Sequence, residues 1–254
     1  MSGGPPAAGV SAAASPPVGA PWPAAWFEDV PGVSDIGVRA FTTTRAAGSF
    51  GVASEEPVRV VMGRWDALRR ELAPLGPRLA TAHQVHGVHV LLHGTGWEGW
   101  LRCGDADGHA TLDRGTAMAV SIADCVPVFL WHASGAVALL HSGWRGTAAR
   151  IVERALDLFE SRGIRAADVA VHLGPAICGN CYEVSADVFA QLTGRAVDCA
   201  TTVDLRARIA DHARLRGVRQ ISVSGSCTRC HNDRFFSHRA GDAGRQLGVM
   251  IAAL

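Results

Sequence analysis

The sequence contains no lysine: all 24 of its Lys-plus-Arg residues are arginine. A P-loop lysine, a Schiff-base lysine and every pyridoxal-phosphate mechanism are thereby excluded, because each requires an ε-amine. An excess of either charge is also missing, since 24 basic residues face 23 acidic ones for a net charge of +1. That balance gives no basic field for nucleic acid and no polybasic patch for a membrane. No stretch approaches the roughly 20 uninterrupted apolar residues of a transmembrane helix. Seven cysteines in 254 residues are too few for a disulfide scaffold, and their odd number argues against full pairing. They read as reduced thiols of a cytoplasmic protein.

What is present describes a globular chain, 48% apolar and 19% charged, long enough to bury a substantial core. Residues 1 to about 25, rich in Gly, Pro, Ala and Ser, read as a disordered tail. The stretch to Phe27 carries no charge and lacks the basic start of a secretory signal. Residues 26–254 read as a single domain without a second linker. Short apolar runs predict strands at Gly37 to Thr44, Val88 to Leu92, Ala117 to Ile122, Val126 to Trp131, Ala136 to His141, Val169 to Leu173 and Arg219 to Val223. Helical spacing predicts helices over Val58 to Leu72, from about Thr147 to Gly163, and over Val203 to Leu215. Hairpins mixed among these elements argue against a pure parallel array and for an α/β or α+β fold with mixed sheets flanked by helices.

A turn at Ala133, Ser134 and Gly135 would fold the strand starting near Cys125 back against the strand ending at His141. Cys125 and His141 would then face each other, or nearly so, at the open end of the hairpin, next to Asp124. Such a pair suits either a zinc site or a thiol–imidazole nucleophile. His83, His86 and His89 recur every three residues, so they cannot share one strand face. His86, beside Gly87 where the backbone can turn, is the one expected to join the pair. A His–Cys–His set leaves a fourth tetrahedral position open, as catalytic zinc requires. Downstream, Ser142-Gly-Trp-Arg-Gly-Thr147 links a strand to a helix N-terminus, where free amides and Arg145 would favour an anion. Arg45, at another strand end, could serve likewise. Cys178-Gly-Asn-Cys181 and Cys227-Thr-Arg-Cys230 could form a four-thiolate zinc site or act as redox pairs, though the long stretch between them is unlike a compact zinc ribbon.

Seven motifs, in order, resemble those of one family: Thr44-Arg45, Gln84-Val-His86-Gly87, Ala123-Asp-Cys-Val-Pro-Val128, His141-Ser-Gly-Trp-Arg-Gly-Thr147, Leu173-Gly-Pro-Ala-Ile177, Cys181-Tyr-Glu-Val184, and Phe235-Phe-Ser-His-Arg239 with Gly244-Arg245. From about Val38 onward the chain resembles the YfiH, or laccase-domain, family, whose members are also called polyphenol oxidases or purine nucleoside phosphorylases. The resemblance implies an αββα-type sandwich and a zinc ion held by His86, Cys125 and His141. It implies phosphorolysis of adenosine, inosine, guanosine and methylthioadenosine, with adenosine deamination at the same site. The partners would be a small-molecule nucleoside and phosphate, gripped by Arg45 and Arg145. Asp124 and His83 are candidate general acids or bases. Copper-dependent phenol oxidation and peptidoglycan precursor editing are the family's other attributed roles, the latter with Cys125 as nucleophile beside His141. The chain departs from the family in a shortened loop after Arg45 and in the additional Cys230 and His231.

Overall fold

A computed structural model describes residues 22–52 and 56–254. The tail expected over residues 1 to about 25 lies outside the described residues up to position 21. Its end is packed: Trp22 is buried, edge-on to Trp26 and against Phe50. The chain then runs through β1 (Phe27–Asp29), β2 (Val38–Thr43), α1 (Val58–Leu72), β3 (Arg78–His83), β4 (Val90–His93), β5 (Gly99–Asp105) and β6 (Gly108–Thr111). Next come β7 (Thr116–Ile122), β8 (Val126–Trp131), β9 (Val137–Ser142), α2 (Trp144–Ala148), α3 (Ile151–Glu160) and β10 (Ala170–Leu173). The last third holds β11 (Glu183–Val184), α4 (Ala186–Thr193), β12 (Thr201–Thr202), α5 (Leu205–Leu215), β13 (Gln220–Val223) and β14 (Gln246–Ala252).

Two six-stranded mixed sheets form the centre, ordered β1, β2, β14, β7, β3, β5 and β13, β10, β8, β9, β6, β4. Alternating side chains explain how they stack. Val249 and Ile251 of β14 face α1, packing on Val61, Trp65 and Leu68, while Met250 and Ala252 face the other sheet. Val128 and Leu130 of β8 pack against α3 and α5, while Phe129 points between the sheets. The result is helix, sheet, sheet, helix. A strand buried on both faces becomes a continuous apolar run, which is why β8 reads so clearly in the sequence. Among the described residues no helix is long and apolar enough to cross a membrane.

The spacing of Val61, Trp65, Leu68 and Leu72 locates α1 to the residue. The helix expected from about Thr147 is instead two, because Arg150 adopts φ 64° and breaks the chain between α2 and α3. Strands β3, β5, β6 and β14 are not among those expected from the sequence; β3 and β14 hold the first sheet together by pairing with β7 on either side.

Besides His141, three histidines are buried in the second sheet: His93, whose Nε2 lies 2.9 Å from His109 Nδ1, His109 itself, and His172. Burial above all holds His109 down to about 3 and His172 down to about 4. An unfolded histidine takes up its proton near pH 6.5, so between that pH and 4 the unfolded chain binds protons that the folded chain refuses. The contribution of these two residues to stability is therefore complete above about pH 6.5 and falls in acid by up to about 1.4 kcal/mol per pH unit for each. Urea midpoints measured from neutral pH down to about pH 5 should fall accordingly, and a flat profile would contradict the burial of neutral imidazoles.

Candidate functional site

Three segments meet at one end of the second sheet: the β3–β4 connection, the residues just before β8, and the end of β9. Gln84 keeps the first of these tied to the first sheet. Its side-chain amide accepts the Ser121 N–H at 2.7 Å and donates to the Ser121 carbonyl at 2.8 Å, imitating a neighbouring strand. His86 then takes φ 61°, a left-handed conformation uncommon for a residue with a Cβ. Asp107 holds it there. Its carboxylate accepts the amides of Val85, His86 and Gly87 at 3.1, 2.9 and 2.6 Å. The same carboxylate accepts His141 Nδ1 at 2.8 Å, and the Asp107 carbonyl accepts the His141 amide at 2.7 Å. With Nδ1 so engaged, His141 presents Nε2 to whatever binds.

Cys125 and His141 do not oppose each other across the hairpin. Pro127 pairs with His141 and Val126 with Ser142, which leaves Cys125 diagonal to His141 and across from Gly143. The offset of two residues keeps both side chains on one face. A Cβ on Gly143 would stand 3.0 Å from Cys125 Sγ and 3.0 Å from His86 Cδ2, so the glycine leaves the space in which the donors meet. The donor atoms of His86, Cys125 and His141 all lie within 4.8 Å of one another.

The charges at the site are mutually dependent. Burial alone would raise the Cys125 thiol, but the His141 charge and hydrogen bonds from His141 and His86 bring it down to about 6. Burial would lower His141, but the Cys125 thiolate and Asp107 raise it to about 9. Asp107 is fully buried, which by itself would raise its carboxyl; the His141 hydrogen bond, the amides of Gly87 and Val85 and the His141 charge hold it below the usual carboxylate range. One thiolate and two imidazoles form a donor set that suits a borderline metal such as zinc, with one tetrahedral position left open. These three residues sit on the floor of a cleft of about 480 Å³, walled by Phe50, Trp65, Arg102, His238 and Arg245. That volume lies within the roughly 300–1,000 Å³ of small-molecule sites.

The other expected site residues lie elsewhere. Arg45 is not in the cleft: its guanidinium is ion-paired to Asp242 at 2.7 Å, donates to the carbonyls of Asn232 and Phe235, and lies over the Phe236 ring. These bonds fasten the loop before β14, so the phosphate clamp expected of Arg45 is replaced by a structural one. Arg145 is exposed and stacked on Trp144, within electrostatic reach of Tyr182. Asp124 sits at φ 81° with its carboxylate oxygens taken by Thr228 Oγ1 at 2.6 Å and the Arg239 amide at 2.7 Å, which leaves it a strut rather than a proton carrier. His83 lines the cleft, exposed, with its Nδ1 hydrogen-bonded to the Asp105 carboxylate at 2.8 Å.

Sequence reasoning missed the role of Asp107. Nor did it single out Arg102, and it placed Arg245 and Tyr182 only inside motifs, without a role; the Tyr182 phenol is pushed up to about 12 by burial and then by the Cys125 charge. No local pattern marks Arg102, because it reaches the site through tertiary pairing.

A family model described as multi-copper polyphenol oxidoreductase laccase matches residues 40–253. A Mycobacterium tuberculosis protein named purine nucleoside phosphorylase is 36% identical over 222 residues, covering 80% of this chain and 87% of its own. The crystal structure of YlmD from Geobacillus stearothermophilus superposes with a TM-score of 0.79 at 28% identity, over 86% of this chain and 93% of that one. The crystal structure of Bacillus licheniformis YfiH gives 0.80 at 23% identity, over 90% and 97%, and shares the fold.

Asp107→Asn would turn an amide donor toward two of the four N–H groups that the carboxylate now accepts, since each of its oxygens takes two. We expect a loss of about 3 kcal/mol in urea unfolding and about 10–100-fold in zinc affinity by competitive chelator titration. Unchanged values in both measurements would remove Asp107 from the account.

Proposed function

The chain belongs to the YfiH, or laccase-domain, family, and on that premise we propose that it is a zinc-dependent purine nucleoside phosphorylase with adenosine deaminase side activity. The observation that carries this reading is the convergence of His86, Cys125 and His141 on the floor of a cleft with cations and aromatic rings in its walls. The names of relatives such as the mycobacterial phosphorylase support it. Zinc bound by the three residues would supply Lewis acidity for charge on the attacking or departing atom and, in deamination, would lower the pKa of water to about 7.

Phosphorolysis joins a phosphate oxygen to the ribose anomeric carbon as the bond to the base nitrogen breaks, and the base takes up a proton as it leaves. Because the chain has no lysine, phosphate must be gripped by guanidinium groups and backbone amides. Arg102, lining the cleft with His238, takes that role in place of Arg45; Arg245 also lines the cleft, with one guanidinium nitrogen bonded to the carbonyls of Asp242, Ala243 and Gly244. Arg145 remains the candidate on the Tyr182 side. Phe50 and Trp65, with ring centroids 5.5 Å apart, offer an apolar wall for the purine. His83 is the proton carrier we favour, since it lines the cleft and its ring is oriented by Asp105. Asp107 works at one remove, fixing the tautomer of His141 and the turn of His86.

Copper-dependent phenol oxidation through several ions finds less support: among the described residues a single histidine-bearing group has donors close enough to share an ion. One specific observation favours a second reading. Cys125, His141 and Asp107 also form a thiolate–imidazole–carboxylate series, with the His141–Asp107 bond at 2.8 Å, as a cysteine hydrolase acting on a cell-wall precursor would need. Such an enzyme would keep its full activity after chelation.

The experiment is to incubate zinc-loaded protein with adenosine, inosine and methylthioadenosine, with and without phosphate. Free base and ribose 1-phosphate should form only with phosphate, and inosine should form from adenosine in either case. No base and no inosine would refute the proposal. Arg102→Gln should raise the KM for phosphate about tenfold, the worth of one charge-assisted contact, and leave the KM for nucleoside nearly unchanged.

A further inference from the structure

Four of the remaining cysteines meet in a second cluster, apart from the group of His86, Cys125 and His141. Strands β10 and β13 are parallel neighbours in register, with Ala170 opposite Gln220 and Leu173 opposite Val223. Parallel strands release their chains at the same end of a sheet, so the segments after Leu173 and Val223 emerge side by side. They stay together: the Ser224 amide donates to the Leu173 carbonyl, the Thr228 amide donates to the Ala176 carbonyl, and Ala176 bridges to Cys227. Each segment then places a Cys-x-x-Cys turn at the same height. Long separation in sequence, which argued against a compact zinc ribbon, is bridged by one parallel strand pair.

The sulfurs of Cys178, Cys181, Cys227 and Cys230 all lie within 4.8 Å of one another, with 3.4 Å between those of Cys181 and Cys230, and all four are free thiols. Four ligands at about 2.3 Å around a tetrahedral ion stand about 3.8 Å apart, the spacing seen here to within an ångström. The Cys227 sulfur accepts the amides of Cys178 at 3.3 Å and Cys230 at 3.4 Å, the kind of bond that favours a thiolate over a thiol. Cys227 is buried and Cys230 exposed, so the cluster sits at the surface with one edge reachable by solvent.

We propose that Cys178, Cys181, Cys227 and Cys230 hold a second metal ion, a structural zinc, separate from the site of His86, Cys125 and His141. Four thiolates complete the tetrahedron and leave no position for a substrate, so this ion would be a clip rather than a catalyst. Its place gives it a task. Tyr182 follows Cys181 directly, and Thr228, between the second pair of cysteines, donates its hydroxyl to Asp124 beside Cys125. Farther along the second segment, Arg239 lies over the Tyr182 ring and its amide holds the other Asp124 oxygen. Clamping the two turns together fixes the groups that hold Asp124, and hence Cys125, in place.

The proposal is independent of the phosphorylase reading, and its tests involve no turnover. Full-length protein made with added zinc under reducing conditions should hold two zinc ions per chain. The Cys178→Ser, Cys230→Ser double variant should hold one, and His86→Ala should keep one. Cobalt exchanged into the His86→Ala protein should give the thiolate charge-transfer and visible bands of a tetrahedral tetrathiolate. A second readout on the unaltered chain covers the case in which the double variant does not fold. In zinc-loaded protein the exposed Cys230 should be alkylated at least about tenfold more slowly than the exposed Cys199, and at a comparable rate once a strong chelator is added. Equal rates before chelation, zinc content unchanged in the double variant, or loss of all zinc in His86→Ala would each overturn the proposal.

Discussion

The site depends on one buried carboxylate. Asp107 accepts three consecutive backbone amides, at Val85, His86 and Gly87, and the imidazole Nδ1 of His141, while its own carbonyl takes the His141 amide. In this way it binds the turn that carries one candidate ligand to the strand that carries another. The left-handed backbone of His86 is unfavourable for a residue with a Cβ, and the three amide bonds explain how it persists. Because Asp107 is wholly buried, water does not compete for these bonds, and an unpaired N–H there would carry the full desolvation penalty. The remaining strained residue at the site, Asp124, is held by the same device from the other side, through Thr228 and the Arg239 amide.

The two sheets supply the rigidity that this arrangement needs. Phe129 and Leu139 between the sheets, and the helices packed outside them, fix the β8–β9 hairpin whose end carries Cys125 and His141. The geometry that follows serves more than one chemistry. The thiolate and the two imidazoles that suit a metal ion also form, with Asp107, a nucleophile and its base. A proton and a divalent ion would compete for the same sulfur and the same ring nitrogen, so a bound metal would leave the thiolate unavailable as a nucleophile.

Much of this was legible in the sequence where local periodicity and burial agree. Helix α1 was read to its ends because its apolar stripe is buried against the first sheet, and β8 because both of its faces are covered. The meeting of His86, Cys125 and His141 was anticipated from a hairpin and a turn glycine, although the register differs: Pro127 rather than Cys125 opposes His141. The rest was hidden for physical reasons. Asp107 acts through bonds to residues about 20 and 34 positions away, and nothing near it in sequence reports them. Arg45 looks like a free cation at a strand end until Asp242 and two carbonyls from the loop before β14 engage it. The packed Trp22 looks like part of a proline-rich tail because its partners, Trp26 and Phe50, come from later in the chain. The two Cys-x-x-Cys turns stand far apart in sequence, and the parallel pairing of β10 with β13 that joins them cannot be read from either strand alone.

The central claim is that His86, Cys125 and His141, oriented by Asp107, hold a metal ion at the floor of the cleft. Anomalous diffraction at the zinc absorption edge, from crystals grown with zinc, tests it most directly. The account predicts a peak bounded by Cys125 Sγ and by one ring nitrogen each of His86 and His141, with the His141 Nδ1–Asp107 bond intact. A map with no peak among these three residues, from protein that turns over nucleoside in solution, would contradict it.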